Sequence, residues 1–152
     1  METDLNKVLF QALKDEDKRA IMEALQKGAD INAKDNDNDG MTALMYASED
    51  GNLGIVDLLI ANGADVNAKD NNGWTALMFA SFVDNLEVAT LLIKEGADVN
   101  AKDNDGVSVL MLASIEGNLE VATLLIKEGA DVNAKDTFTY GMTSLMYAAE
   151  SG

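Results

Sequence analysis

The sequence is dominated by one unit that recurs every 33 residues. The stretch NLEVATLLIKEGADVNAKD occupies residues 85–103 and returns unchanged at residues 118–136. A looser copy spans residues 52–70, and a fourth ends in GADINAKD at residues 28–35. A fixed period of this length is typical of repeat proteins, whose units stack because a single unit cannot bury its own apolar face. The chain is therefore predicted to fold as an array, and its function should lie where the copies differ.

The third unit shows how each copy is built. Residues 70–73, Asp-Asn-Asn-Gly, predict a tight hairpin turn, because Gly after Asn readily takes a positive φ. Thr75 is the predicted N-cap of a short first helix, in which apolar residues recur at helical spacing. The apolar stretch 86–93 predicts a second helix that ends at Gly96, a left-handed cap. Each unit is thus predicted to be a hairpin followed by two helices.

The composition excludes most enzyme chemistry and several classes of partner. The chain has no Cys and no His, which removes disulfides, thiolate nucleophiles, imidazole bases and the usual zinc sites. Carboxylates remain, but the sequence does not pair them in an apolar pocket that would raise a pKa, so neither catalysis nor a cofactor is expected. The net charge of −16 repels nucleic-acid phosphates and anionic membrane surfaces. We therefore expect a neutral or basic protein as the partner.

Membrane insertion and secretion are also not expected from the sequence. No apolar run approaches the roughly 20 residues that a membrane-spanning helix needs. Residues 1–7 have neither the basic nor the apolar region of a secretory signal, which predicts a cytoplasmic protein.

Two segments of the unit resemble the ankyrin repeat: GWTALMFA at residues 73–80 and LLIKEGADVNA at residues 91–101. Four copies of G-A-D-[VI]-N-A-K-D and four of G-x-[TS]-x-L-M extend this resemblance over nearly the whole chain. It implies an all-α fold with short β-hairpin turns, an ankyrin-repeat solenoid of stacked helix-turn-helix units. It further implies a non-catalytic scaffold for protein–protein interaction, which binds through hairpin tips and first helices on a concave face.

The chain departs from the family at the T-P-L-H segment, where the usual Pro and His are missing. Methionines stand in the His position and are expected to fill its space in the core: Met45, Met78, Met111 and Met146. The preceding leucines are expected to keep the core: Leu44, Leu77, Leu110 and Leu145. The following residues are expected to pack between helices, with the Tyr hydroxyls reaching solvent: Tyr46, Phe79, Leu112 and Tyr147.

The repeats divide residues 1–152 into one domain of five units. These are a capping unit at 1–34, internal repeats at 35–69, 70–102 and 103–135, and a partial fifth repeat at 136–152. The capping unit lacks a hairpin and begins directly as a helix, with Asp4 as its predicted N-cap. Lys18 and Glu23 stand where other copies carry Leu, which predicts the polar outer face of an end repeat.

At the other end, Gly152 follows only the first helix of the fifth unit. The apolar side of the preceding second helix, Leu124, Leu125 and Ile126, is therefore expected to have incomplete cover. This favours either a shortened chain or an end-to-end contact between copies.

Apolar residues follow the hairpin glycine in all four hairpin-bearing units: Met41, Trp74, Val107 and Met142. In the family this position is exposed and varies with the partner, so the resemblance implies a stripe of contact residues. A second set of family contact positions ends the first helices: Glu49, Asp50, Phe82, Val83, Ile115 and Glu116. Scattered surface apolar residues are normal, so an inert surface is the alternative.

The predicted partner follows from the chemistry of these positions. Trp74 is the expected anchor, with the hairpin tip at Asn71 and Asn72 beside it. Asp105 belongs to an acidic rim around it, so we expect a basic protein segment with an apolar anchor.

The two longer hairpins suggest further sites. The steps from Asp35 to Gly40 and from Asp136 to Gly141 are two residues longer than in the other hairpins, and such insertions often lie on the binding face. Phe138 and Tyr140 in the last hairpin either contact a ligand or fold back over the unfinished unit.

Two other functions stay open at this point. Asp35, Asp37 and Asp39 match the first half of a calcium loop, which makes a calcium-responsive acidic module one alternative, although an acidic solvated turn explains the same residues. The two identical blocks fit an engineered or consensus-like scaffold without a native partner, although Asp84 in place of Gly51 and Gly117 favours natural divergence.

Overall fold

The computed structural model describes residues 4–151, so residues 1–3 and Gly152, the outer ends of the predicted first and last units, lie outside the described residues. Within this range the chain forms nine α-helices and no extended strand. The helices are α1 Leu5–Lys14, α2 Lys18–Gln26, α3 Ala43–Glu49, α4 Leu53–Ala61, α5 Ala76–Phe82, α6 Leu86–Lys94, α7 Val109–Ile115, α8 Leu119–Lys127 and α9 Ser144–Ser151.

The helices form two layers that run along the array. The first helices of successive units, α1, α3, α5, α7 and α9, each contact the next one in the series. The second helices pack behind them, with α6 between α4 and α8. This arrangement confirms the predicted all-α solenoid of stacked helix pairs.

The predicted helix boundaries are explained by local hydrogen bonds. The Thr75 hydroxyl accepts from the backbone N–H of Met78 at 3.4 Å, so it caps α5 as predicted. The Asp4 carboxylate accepts from the N–H groups of Asn6 and Lys7, which confirms it as the cap of α1. Gly96 takes a φ of 94° just after α6, the left-handed geometry that favours glycine at a helix end.

Between the helix pairs, the hairpins stack on one another through the backbone. Each hairpin is closed by a hydrogen bond such as Asp70 N–H to the Trp74 carbonyl at 2.9 Å. One backbone bond then joins each hairpin to the next, as when Asn71 N–H donates to the Asp39 carbonyl at 2.8 Å. The hairpins therefore form a continuous edge along the array.

A ladder of asparagines joins the loops that follow the second helices. Asn32, Asn67 and Asn100 each accept, through Oδ1, from the backbone N–H of the aspartate in the next unit's Gly-Ala-Asp segment, at 2.8, 2.8 and 2.7 Å. The side-chain amide of each donates to the glycine carbonyl of that segment. One side chain thus satisfies a donor and an acceptor of the following unit, which fixes the step between units.

The core runs through the centre of the array but stops before α9. Leu44, Leu77 and Leu110 are buried as predicted, as are the methionines that follow them. Leu145 is 77% exposed and Met146 is 50% exposed, so their prediction as core residues is wrong. In the described chain no second helix follows α9, and therefore nothing lies over this face of α9 as α8 lies over α7.

The polar face predicted for the first unit is observed at two positions, since Lys18 and Glu23 are both exposed, and the role of this unit as a cap stays a prediction. Among residues 4–151, no helix combines the length and the apolar character required to cross a membrane.

The tyrosine hydroxyls do not point freely into solvent as predicted, because each hydrogen-bonds to an aspartate of its own hairpin. Tyr46 is buried, and its hydroxyl donates to the carboxylate of Asp35 at 2.6 Å. Tyr147 makes the same bond to Asp136. Both tyrosines belong to units with the longer hairpin, whereas the units with the shorter hairpin carry Phe79 and Leu112 at this position. In the short hairpin of the third unit the corresponding Asp70 accepts from Trp74 N–H, and its unit carries Phe79 in place of a tyrosine, so no hydroxyl is available to this aspartate.

We expect Tyr46→Phe to destabilise the fold by about 1–3 kcal/mol at pH 7, because the buried Asp35 carboxylate loses a donor. Burial, and then the bond to Asp35, raises the pKa of Tyr46 from 10.0 to about 12. A raised folded-state pKa means that Tyr46 stabilises the fold below pH 10 and that this contribution is lost as the pH rises to 12. Urea unfolding from pH 7 to 12 should show this alkaline loss in the parent chain and a smaller one in Tyr46→Phe.

The matched control is Tyr140→Phe, because the Tyr140 side chain is fully exposed. It should leave both the stability at pH 7 and the alkaline loss unchanged. Equal stability of Tyr46→Phe and the parent chain at pH 7 would show that the Asp35 bond contributes nothing to the fold.

Candidate partner-binding site

A groove lies across three consecutive hairpins of the described residues. It encloses about 680 Å³, and we call it the hairpin groove. Its lining consists of Asn38, Asp39, Met41, Glu49, Asp70, Asn72, Trp74, Phe79, Phe82, Asp103, Asn104 and Asp105. The hairpin-to-hairpin hydrogen bonds bring these residues together, since they lie far apart in sequence.

Three aromatic rings form the apolar part of the hairpin groove. The Trp74 ring lies 5.0 Å from that of Phe79 and 5.7 Å from that of Phe82, with the Phe82 contact edge to face. The Asp70 carboxylate accepts from Trp74 N–H at 2.8 Å and so fixes the backbone that carries the indole. Phe82 ends α5 and remains 43% exposed, so the cluster presents a free aromatic surface to the groove.

Carboxylates surround this aromatic surface. Asp39, Asp70, Asp103 and Asp105 come from the hairpins, and Glu49 comes from the end of α3. No Lys or Arg is part of this lining in the described chain. Burial, and then the negative charge of Asp50, raises the pKa of Glu49. The groove therefore combines aromatic faces with an excess of negative charge.

The structure brings together six of the fifteen residues predicted to contact a partner. These are Met41, Glu49, Asn72, Trp74, Phe82 and Asp105. The remaining nine lie outside the hairpin groove: Asp50, Asn71, Val83, Val107, Ile115, Glu116, Phe138, Tyr140 and Met142.

Two expectations about exposure are wrong. Met41 is only 5% exposed, because its side chain belongs to the core beneath the hairpins rather than to an exposed stripe. Trp74 was expected outside the core, but it is half-buried and packs against core residues. Its neighbour Phe79 carries part of this contact.

Phe138 and Tyr140 do not cover the C-terminal unit. Phe138 is 75% exposed and Tyr140 is fully exposed, so the alternative in which they fold back over the unfinished unit is wrong. A role in contacting a ligand remains a prediction for these two side chains.

The calcium alternative receives no support from the geometry of its three aspartates. Asp35 is buried and its carboxylate accepts from the Tyr46 hydroxyl and from Asp37 N–H, while Asp37 and Asp39 are exposed. Among residues 4–151, no group of three or more acidic side chains is placed to hold a metal ion.

Sequence reasoning missed several groove residues, notably Asp70, Asp103 and Phe79. These aspartates end the Gly-Ala-Asp-x-Asn-Ala-Lys-Asp segment of their units and begin the hairpins. Because the same aspartate recurs in every unit, the sequence did not distinguish these two as groove residues. Phe79 packs between helices as predicted, and the edge of its ring that this packing leaves open lines the groove.

Comparison with known proteins agrees with this architecture. No curated protein matches the chain significantly. A family model described as ankyrin repeats, in three copies, matches residues 9–103 and 96–152. These matches cover most of the chain, which belongs to the ankyrin repeat family, a family whose repeats generally mediate protein–protein interaction.

Proposed function

We propose that this protein is a non-catalytic scaffold that binds a basic, partly apolar segment of another protein in the hairpin groove. The observation that carries the proposal is the union of three aromatic rings and five carboxylates in one groove. Aromatic residues are frequent anchors of protein interfaces, and negative charge attracts and orients a basic partner.

The charge of the whole chain supports the same class of partner. The net charge is −16, and only two ion pairs form among the described residues, Lys14 with Asp35 and Lys27 with Glu23. Most acidic side chains are therefore not neutralised within the fold. Their field should speed the approach of a basic segment at low ionic strength and weaken binding as salt rises.

The proposal is tested by selecting binders from a displayed library of random peptides. We expect the selected peptides to combine basic residues with one large apolar residue and to quench the fluorescence of Trp74, the only Trp in the chain. Peptides that bind without affecting this signal would place the site elsewhere and contradict the proposal.

We expect Trp74→Ala to weaken binding of the selected peptides by about 2 kcal/mol or more, which is roughly 30-fold. The same change should lower the melting temperature, because the indole is half-buried against Phe79. Calorimetry of binding, with circular dichroism to check the fold, separates these two effects.

Thr90→Ala is the control for this measurement. Thr90 is exposed on α6, outside the lining of the groove, and should leave affinity unchanged. Trp74→Ala that stays folded and binds as tightly as the parent chain would remove Trp74 from the site.

A further inference from the structure

The hairpin groove has an internal counterpart one unit earlier, where the chain places its own cation over an aromatic ring. The Lys14 ammonium lies 5.7 Å from the centre of the Tyr46 ring and 4.0 Å from the Asp35 carboxylate. An aromatic face and a carboxylate together stabilise a cation, because the ring quadrupole and the full charge both attract it.

In the next unit an acid stands at the position that corresponds to Lys14. Lys14, Glu49 and Phe82 are corresponding residues, since each stands three positions before the cap of a second helix, Asp17, Asn52 or Asn85. The step that brings Lys14 over Tyr46 brings Glu49 to the groove that contains Phe79 and Trp74. Glu49 thus occupies the position of the lysine. No residue of the groove lining in the described chain supplies a positive charge to the aromatic rings.

We propose that the hairpin groove binds the guanidinium group of an arginine side chain from the partner protein. The aromatic surface of Trp74 and Phe82 receives the planar cation, and the carboxylates of the groove, including Glu49 and Asp105, accept its N–H groups. This inference rests on the proposed function and specifies the chemistry that the partner presents.

Two features favour arginine over lysine at this position. A guanidinium is planar and stacks on aromatic rings, whereas an ammonium is compact and more strongly hydrated. The groove carries five carboxylates on four segments of the chain, and guanidinium offers five N–H donors that can be shared among several acceptors. Arginine can therefore donate hydrogen bonds to more of these carboxylates than lysine can.

The test uses three short peptides: acetyl-Gly-Ser-X-Ser-Gly-amide, with arginine, citrulline or lysine at X. Citrulline keeps the shape of arginine and removes the charge. The NMR signal of the single indole N–H, that of Trp74, reports binding at the groove. We expect the arginine peptide to shift this signal and the citrulline peptide to bind at least about 5-fold more weakly.

Two variants test the groups involved. Phe82→Leu keeps apolar bulk and removes a ring, and Glu49→Gln removes a charge with little change in shape. Each should weaken the arginine peptide by about 2- to 5-fold, the range typical of one exposed cation–π contact or charge-assisted bond. Glu120→Gln on α8 is the matched control and should change nothing, because Glu120 is exposed and outside the groove.

The possible failures are distinguishable from one another. Equal binding of arginine and citrulline peptides, or tighter binding of lysine, overturns the guanidinium assignment. If library-selected peptides without arginine still require Trp74, the proposed function stands and this inference fails. If neither selected nor short peptides affect the Trp74 signal, both fail.

Discussion

Leu77→Ala should lower the free energy of unfolding by about 2–5 kcal/mol, whereas the same substitution at Leu145 should change it by about 0.5 kcal/mol or less. The two leucines hold the same position in the repeat, within the segment G-x-T-x-L-M. Leu77 is completely buried in the centre of the array, and Leu145 is 77% exposed on α9. Truncation at Leu77 removes buried methyl groups and leaves a cavity, but at Leu145 it removes a side chain that water already contacts.

Urea unfolding of both variants and of the parent chain measures this difference. Because the two substitutions are chemically identical, intrinsic helix propensity and the unfolded state contribute almost equally to both. A loss at Leu145 comparable to that at Leu77 would show that another surface covers α9 in solution, for instance the end-to-end contact considered from the sequence.

The sequence predicted the fold well because the information was present four times. Helix caps such as Thr75 and Gly96 depend on a few neighbouring residues, so a local pattern was sufficient to place them. The stacking of units followed from the period, since no unit can bury its apolar face alone.

The wrong predictions of burial share one physical cause. The position of a residue in the repeat does not determine which neighbouring elements cover its side chain. Leu145 and Met146 match their buried counterparts in sequence, but burial requires a neighbouring helix that the described chain does not place there. Met41 follows a hairpin glycine as Trp74 does, yet Met41 is buried whereas Trp74 is half-buried. Such differences arise from contacts between units, which periodicity does not report.

The candidate site was predictable only in part, for a related reason. Trp74 and Phe82 could be named because they stand at positions that contact partners in the family. Asp70 and Asp103 could not, because they are common to the repeats and acquire their role only when the hairpins stack into one edge. A groove that spans three hairpins can be predicted only when the spacing between adjacent units is known. The asparagine ladder and the backbone hydrogen bonds between hairpins determine this spacing.

The second large change in stability is expected at the C-terminal face, the surface formed by α8, α9 and the loop between them. An apolar groove of about 380 Å³ lies between α8 and α9. Its lining is uncharged: Leu110, Ser114, Ala122, Ile126, Val132, Asn133, Thr143, Ser144, Leu145 and Ala148. Asn133 corresponds to Asn32, Asn67 and Asn100, but no Gly-Ala-Asp segment follows it among the described residues. The face therefore presents the apolar surface and the asparagine that other units use to hold their successor.

A copy of residues 118–136 placed directly after Gly152 should stabilise the chain by about 2–4 kcal/mol, because it buries Leu145, Met146 and Ile126. The copy continues the register, since Gly152 corresponds to Gly117, which directly precedes this block in the fourth unit. Its helix should pack on α9 as α8 packs on α7, and its Gly-Ala-Asp loop should bond to Asn133. Urea unfolding measures the gain, and hydrogen exchange of residues 142–151 locates it.

Two matched variants show whether the gain has this origin. A copy in which the residues corresponding to Leu124, Leu125 and Ile126 are Ser keeps the added length and charge but removes the apolar face, and should give no stabilisation. Asn133→Ala in the extended chain should remove about 1 kcal/mol of the gain, the usual contribution of a hydrogen bond, but should have little effect on the parent chain. If the serine copy stabilises the chain as well as the native copy, burial against α8 and α9 is not the cause of the gain. The apolar lining and Asn133 of the C-terminal face would then not bind a further unit.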